Sequence, residues 1–251
     1  PIELVKPFLI IFISLILCSQ KFSNIYLKYL FSFIITLGIA LLLSLQPDIG
    51  QTLLVFFSWS VLIFTSGISI FLLFFLFSSI ILIFFYLIFF VSKFTYIKNR
   101  LISFLDSETG TYNFQSDKAL ESITSGGFFG KGIGEGTLKN RVPEAHTDYI
   151  ISVISEEFGV IAIILIFLLF LIFIYSVFKK VNFENDETIK LILVGSISLI
   201  LMQTIIHIGV NIRLFPTTGM TLPFISYGGS SIISISILSG IILNFTKRNL
   251  N

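Results

Sequence analysis

The stretch IGQTLLVFFSWSVLIFTSGISIFLLFFLFSSIILIFFYLIFFVS runs from Ile49 to Ser92, 44 residues between Asp48 and Lys93 without one charged side chain. A helix that crosses the hydrocarbon core of a bilayer needs about 20 apolar residues. The run therefore holds two spans back to back, with the turn at Ser66-Gly67. Reading outward by the same rule gives seven spans, roughly 4–20, 29–45, 50–66, 69–91, 149–178, 190–210 and 230–246. Lys21 to Lys28 separates the first two and Lys179 to Lys190 the fifth and sixth. Gln46-Pro47-Asp48 separates the second and third, because proline and the residue before it stop a helix.

Composition agrees. Of 251 residues 55% are hydrophobic and 12% charged, with a mean hydropathy of +0.99. A soluble domain carries roughly 25% charged residues, so most of this surface must face lipid. The expected class is an all-α polytopic membrane protein, with 1–251 forming a single integral membrane domain. A net charge of +2 is too small to suggest a nucleic-acid partner. Cys18 stands alone, which excludes an intrachain disulfide or thiolate cage. The sequence starts at Pro1 without a secretory signal pattern, and is expected to be the later part of a longer chain.

Two segments break the apolar pattern. Residues 211–229 are uncharged after Arg213 yet contain Pro216, Gly219, Pro223, Gly228 and Gly229. Irregular backbone at membrane depth survives only where protein or a water-filled cavity covers it, so this is a candidate re-entrant element. The long polar stretch 92–148 has seven Lys/Arg and seven Asp/Glu, and seven of the seventeen glycines fall between Gly110 and Gly136. A loop this long is expected to be functional. One set of short connections carries seven Lys/Arg and the other only Arg213. The positive-inside rule then puts the first set and Asn251 in the cytoplasm, with loop 92–148 and Pro1 outside.

Candidate chemistry concentrates around the loop. In Val142-Pro143-Glu144-Ala145-His146-Thr147-Asp148, Thr147 or Asp148 is expected to cap the following helix, and Asp148 is equally placed to act as a general base. His146 is a second proton carrier. Glu156 and Glu157 follow on the same helix and are expected to pair or to line a cavity. Glu3 and Lys6, three apart, share a helix face. His207 and Asn211, four apart, read as two satisfied polar groups between helices. The run from Gly126 to Gly136 lacks the strand and the Gly-Lys-Ser/Thr ending of a nucleotide loop. Its amides could approach a pyrophosphate beside Lys131 and Lys139, although an ordinary flexible loop is the simpler reading. Neither the thirty phenylalanines nor Trp59 carries a functional signal.

Six ordered blocks resemble the SEDS family (shape, elongation, division and sporulation), the FtsW/RodA/SpoVE proteins. Pro1 to Pro7 is similar to its Q-P-S-E-x-x-K, with Glu3 and Lys6 in place. Gln46 to Gly50 matches Q-P-D-x-G, and Arg100 to Asp106 looks like R-x-x-x-F-L-D. Ser125-Gly126-Gly127 with Gly130, Gly132 and Gly134 matches S-G-G-x-x-G-x-G-x-G. Pro143 to Tyr149 with Glu156 to Gly159 matches P-E-A-H-T-D-F…E-E-x-G, and Pro216 to Ser231 matches the last signature. Ser107-Glu108 replaces proline-tryptophan, Phe114-Gln115 replaces Tyr-Gln, and Arg213 stands where many relatives have glycine. The P-E-A-H-T-D wording is more like the FtsW branch.

The resemblance implies a ten-span fold of which this chain carries the last seven. It also implies a peptidoglycan glycosyltransferase that polymerises lipid II into β-1,4 strands with inversion, for septal synthesis in the bacterial inner membrane. Asp148 would be the catalytic carboxylate. Glu3, Lys6, Arg100, Gln115, Ser125, Gly126, Lys131, His146, Thr147, Glu157, Ser226, Gly228, Gly229 and Ser230 would bind substrate or support the site. Positive charge for the leaving pyrophosphate is expected from basic loop residues or a divalent cation, Mg or Mn, though the sequence shows no clear metal cage. The implied partners are a class B penicillin-binding protein and other divisome membrane proteins. A lipid II transporter and a scaffold without chemistry are the competing expectations.

Overall fold

The structure is a computed structural model that describes residues 2–22, 24–46, 48–105, 114–137 and 141–247. Pro1, Pro47, Asp106 to Glu108, Gly110, Lys139 and Asn251, which entered the sequence reading, lie outside the described residues. Among the described residues ten α-helices follow one another: α1 (Ile2–Cys18), α2 (Ile25–Leu45), α3 (Ile49–Thr65), α4 (Ile70–Phe90), α5 (Thr95–Leu105), α6 (Phe114–Gly126), α7 (Ile150–Phe158), α8 (Val160–Val181), α9 (Glu187–Asn211) and α10 (Gly229–Lys247). The described residues contain no strand. Five helices, α2, α4, α8, α9 and α10, are long and apolar enough to cross a membrane. Helices α1 and α3 have 17 residues each, the lower limit for a crossing.

Helix α9 is the axis of the bundle. Asp186 caps it, accepting a hydrogen bond from the Thr188 amide at 2.8 Å, and apolar residues surround it on every side. A helix that is hydrophobic all round belongs inside. Accordingly α9 packs on α1, α3, α8 and α10 and is buried through most of its length. Helix α4 is the opposite case. It touches α3 and α5, and Phe71, Phe74 and Phe75 point outward at 85%, 74% and 68% exposure. Such a face belongs against lipid. Trp59, silent in the sequence, is buried between α2 and α3, where its indole N–H donates to the Ser32 hydroxyl at 3.1 Å.

The expected span 149–178 is not one helix. It breaks at Gly159, which has φ +81°, into α7 of nine residues and α8 of 22. Only α8 has the length of a crossing, and Glu156 and Glu157 lie in the last turn of the short α7. The polar stretch 92–148 is likewise more ordered than a loop, since it contains α5 and α6. Its glycine-rich part is a clip on α7. The Lys131 and Gly132 amides donate to the Glu156 and Glu157 carbonyls at 2.9 and 3.0 Å. The Thr137 amide donates to Glu156 Oε1 at 2.9 Å, and the Ser122 hydroxyl to Glu156 Oε2 at 3.2 Å. Those amides are therefore spent on the helix end, which argues against a pyrophosphate cradle.

The clip needs glycine because backbone meets backbone there. A Cβ on Gly126 would stand 2.0 Å from the Ser155 carbonyl oxygen, and one on Gly130 2.2 Å from that of Glu157. Gly126→Ala is therefore expected to lower the unfolding temperature in detergent, by the equivalent of about 1–3 kcal/mol for overpacking. Gly38→Ala in α2, where a Cβ meets nothing within 4 Å, is expected to leave it unchanged or slightly raised. Equal melting of the two variants would mean that α6 and α7 are not in backbone contact.

Candidate active site

The segment before α7 folds as a compact turn. Glu144 has φ +53°, and its carbonyl accepts the amides of Thr147, Asp148 and Tyr149 at 3.1, 3.1 and 3.3 Å. The Thr147 hydroxyl returns to the same residue, donating to the Glu144 carboxylate at 3.0 Å. Because one carbonyl collects these amides, the helix needs no side-chain cap. Tyr149 is the N-cap of α7 and makes no side-chain cap bond, so the expectation that Thr147 or Asp148 caps the helix is corrected. The Asp148 carboxylate is left without a hydrogen bond among the described residues and is free for chemistry.

The turn is held from outside. The Ser226 hydroxyl donates to the Thr147 carbonyl at 2.6 Å, the Tyr227 amide to the His146 carbonyl at 3.0 Å, and the Asn211 side chain to the Asp148 carbonyl at 3.1 Å. Residues 216–228 have irregular backbone that these bonds tie to the turn, with Met220, Leu222, Pro223 and Ser226 buried. Beside Asp148 lies a cavity of about 80 Å³ lined by Arg100, Gln115, Asp148, Tyr149, His207, Val210 and Thr217 to Met220. Arg100 reaches it from α5, donating from Nη1 to the Thr217 carbonyl at 3.1 Å and stacking over the Tyr96 ring at 4.5 Å.

Burial, first, and then the Glu144 and Asp48 carboxylates push Asp148 up from 3.8 to about 6. Asp48, the N-cap of α3, is also raised, chiefly by burial. A carboxylate poised near neutrality in a cavity beside an arginine is the profile of a general base.

Under this layer sits a buried ion pair. Lys6 Nζ lies 2.6 Å from Glu3 Oε2, with the lysine side chain wholly enclosed. Lys6 also donates to Gln203 on α9 at 3.3 Å, and the Gln51 amide on α3 donates to Glu3 at 2.8 Å. The pair that the spacing placed on one helix face therefore ties three helices together.

The remaining candidates separate into three groups. Arg100 and Gln115 join Asp148 in the cavity, while His146, exposed, and Thr147 belong to its turn. Ser125, Gly126, Lys131 and Glu157 belong to the clip: Lys131 pairs with Glu156 at 3.4 Å and Glu157 accepts the Gly134 amide at 3.3 Å. Ser226 braces the turn, whereas Gly229 and Ser230 are exposed at the start of α10, just after Gly228. His207 and Asn211 were paired by spacing as satisfied groups. Asn211 Nδ2 is satisfied, but both His207 ring nitrogens are buried without a hydrogen-bond partner. Among the described residues no group of three or more His, Cys, Asp or Glu converges.

The family model described as Cell cycle protein, FTSW_RODA_SPOVE, matches residues 1–251. The chain belongs to the FtsW/RodA/SpoVE family. It is 34% identical over 252 residues to the probable peptidoglycan glycosyltransferase FtsW of Caulobacter vibrioides, covering 99% of this chain and 63% of that protein. It is 38% identical over 146 residues to the probable peptidoglycan glycosyltransferase FtsW of Enterococcus hirae, covering 58% of this chain and 36% of that one. The chain thus spans less than two thirds of the length of these curated relatives. Among solved structures, a peptidoglycan synthase complex that coordinates polymerization and crosslinking superposes with a TM-score of 0.79 at 26% identity, over 100% of this chain and 71% of that one. Rod shape determining protein RodA of Thermus thermophilus superposes with a TM-score of 0.65 at 25% identity, over 100% and 66%. The all-helical FtsW/RodA/SpoVE fold is therefore that of this chain.

The Glu3–Lys6 pair makes a direct test of this architecture. Lys6→Met is expected to destabilise by about 3–5 kcal/mol, because it leaves a buried carboxylate uncompensated. Glu3→Gln combined with Lys6→Met is expected to recover most of that loss, a coupling that a double-mutant cycle of detergent melting curves measures. Additive losses would place the two side chains apart.

Proposed function

We propose that the whole protein is a peptidoglycan glycosyltransferase that polymerises lipid II at Asp148, for septal wall synthesis. The observation that carries this is the unpaired, elevated Asp148 carboxylate in a cavity it shares with Arg100, in a chain whose curated relatives are named for that activity. Helices α1, α2, α3, α4, α8, α9 and α10 would make seven crossings. Asp48, Arg100, Asp148 and the 216–228 segment then share one bundle end, which is taken as extracytoplasmic. A class B penicillin-binding protein is the proposed partner, in keeping with a neighbour described as a synthase that couples polymerization and crosslinking.

In this reading Asp148 takes the proton of an acceptor sugar hydroxyl while that oxygen bonds to the anomeric carbon of the donor. The bond from that carbon to the pyrophosphate breaks, and its electron pair leaves with the undecaprenyl pyrophosphate. One displacement inverts the centre, and no glycosyl-enzyme forms. Arg100 supplies positive charge to the developing anion, and no step is routed through a metal ion.

Three outcomes follow from Asp148. Only its ionised form accepts a proton, so polymerisation is expected to rise with pH through about 6. Asp148→Asn is expected to reduce strand formation about 10²–10⁴-fold or more, read on gels with purified lipid II and the partner. The same variant is expected to melt at an equal or higher temperature at pH 7.5. A raised native value means that the folded state holds the proton more tightly than the unfolded chain. The group's stabilisation is then full below 3.8 and lost as pH rises through about 6. Near-wild-type polymer from Asp148→Asn would end the assignment, whereas a pure transporter predicts no polymer even from the wild-type protein.

Orientation is testable separately. With Cys18 replaced by serine, a cysteine at Phe128 is expected to react with an impermeant maleimide from outside intact cells, and one at Asn185 is not. Reversed labelling would place the cavity in the cytoplasm and overturn the reading.

A further inference from the structure

His207 is a buried polar side chain whose position its hydrogen bonds do not explain. It lies on α9 one turn before Asn211, is 1% exposed, and lines the same 80 Å³ cavity as the Asp148 carboxylate. Neither Nδ1 nor Nε2 has a hydrogen-bond partner. The Thr147 carbonyl faces the ring and also accepts the Ser226 hydroxyl at 2.6 Å; it can engage one ring nitrogen at most, so the other has no protein partner. Buried polar groups are almost always hydrogen-bonded, and each one left bare carries an uncompensated desolvation cost. An apolar side chain at 207 would avoid that cost.

Other buried atoms are unpaired elsewhere, at Tyr29 and Ser234 among others, but three of the residues that carry them gather here. Arg100 Nε is also buried without a partner and lines the same cavity, and Asn211 Oδ1, one turn below His207, is unpaired as well. Such a space is polar, and large enough for a few waters or for a hydroxyl-bearing arm of a sugar. Three protein groups of different character meet there: a carboxylate that accepts, a guanidinium that donates, and an imidazole that does either.

Taking the polymerase reading above as given, we propose that His207 is a positioning residue for the acceptor sugar. Its imidazole hydrogen-bonds one hydroxyl of that sugar inside the cavity, while a neighbouring hydroxyl faces Asp148. Two fixed contacts on one ring set its rotation, so that the reactive oxygen approaches the donor with its proton directed at the carboxylate. Held in this way, the acceptor reaches a productive orientation without searching, which is the main contribution a non-reacting contact can make. Asn211 supports the arrangement from below, because its side-chain amide bonds both the His207 and the Asp148 carbonyls, at 2.9 and 3.1 Å.

The test uses the full-length protein with its cross-linking partner and purified lipid II. His207→Phe keeps a flat ring of similar size and removes both nitrogens. It is expected to melt at the same temperature or higher, while kcat/KM for polymerisation falls about 10–100-fold, the cost of leaving a substrate hydroxyl unpaired. His207→Asn, which restores a donor and an acceptor, is expected to recover most of that loss, and His207→Leu is not. If His207→Phe misfolds, the Asn and Leu variants carry the comparison at matched melting temperature. Equal kcat/KM for those two, or a His207→Phe rate within about twofold of wild type, overturns the proposal. So does a loss of rate that tracks the loss of folded protein, because that is a packing role. The two readings fail differently. If Asp148→Asn is inactive and the His207 variants are normal, only the positioning role is wrong. If wild-type protein makes no glycan from lipid II, both are wrong.

Discussion

The constraint on which the rest of the structure depends is the lysine ammonium buried inside a bundle of apolar helices. Lys6 has no access to solvent, and a charge in that setting must be paired and hydrogen-bonded. Glu3 supplies the opposite charge, and Gln203 carries the connection to α9. From Gln203 the chain of bonds continues to the Thr221 carbonyl at 2.9 Å and from Thr221 to the Ser231 hydroxyl at 2.7 Å. One residue further on, the Leu222 amide donates to Ser226, whose hydroxyl grips the Thr147 carbonyl. The irregular 216–228 segment is therefore fixed between the buried ion pair on one side and the Asp148 turn on the other. Each of its bonds satisfies a group that lipid could not.

A second brace approaches the same turn from the far end of α7. Glu156 is fully buried and accepts from Ser122, Thr137 and Lys131, so that α6, the glycine-rich strip and α7 move as one body. Glycine is required for this union because a methyl at Gly126 would overlap the Ser155 carbonyl. The glycines thus serve contact between backbones, and the phosphate-like appearance of the run was a property of its composition alone.

Much of the fold was legible because charge marks the ends of lipid-facing helices. The expected spans 29–45 and 230–246 correspond to Ile25–Leu45 and Gly229–Lys247. The break inside 149–178 was not legible, since apolar residues flank Gly159 on both sides. Its cause is long-range: a Cβ there would stand 2.1 Å from the Phe128 carbonyl oxygen. Helix α6 was hidden by its charges, although its buried Ser116, Ala119, Ile123 and Gly126 keep the three-to-four spacing of a packed face. At the site, the type and place of Asp148 could be read from its neighbours in sequence, but its freedom from capping could not. That freedom depends on the left-handed backbone of Glu144, a residue four positions away. His207 escaped for a related reason, because spacing pairs a residue with its own helix and says nothing about the cavity it faces.

The two ends of α7 show how one short element serves both scaffold and chemistry. Seven residues, Tyr149 to Ser155, separate a saturated carboxylate from a bare one. Glu156 is surrounded by donors that stabilise its charge and leave it nothing further to accept. Asp148 feels two carboxylates, Glu144 in its own turn and Asp48 at the start of α3, and has no donor of its own among the described residues. Moving the donors from one end to the other would give a better-stabilised Asp148 and a poorer base, since a fully hydrogen-bonded carboxylate has little affinity for a proton. The arrangement keeps the donors where the loop must be held and withholds them where a proton must be accepted. The stability lost at Asp148 is offset by the braces on either side of it, the Glu156 clip and the Lys6 network, neither of which uses the reactive carboxylate.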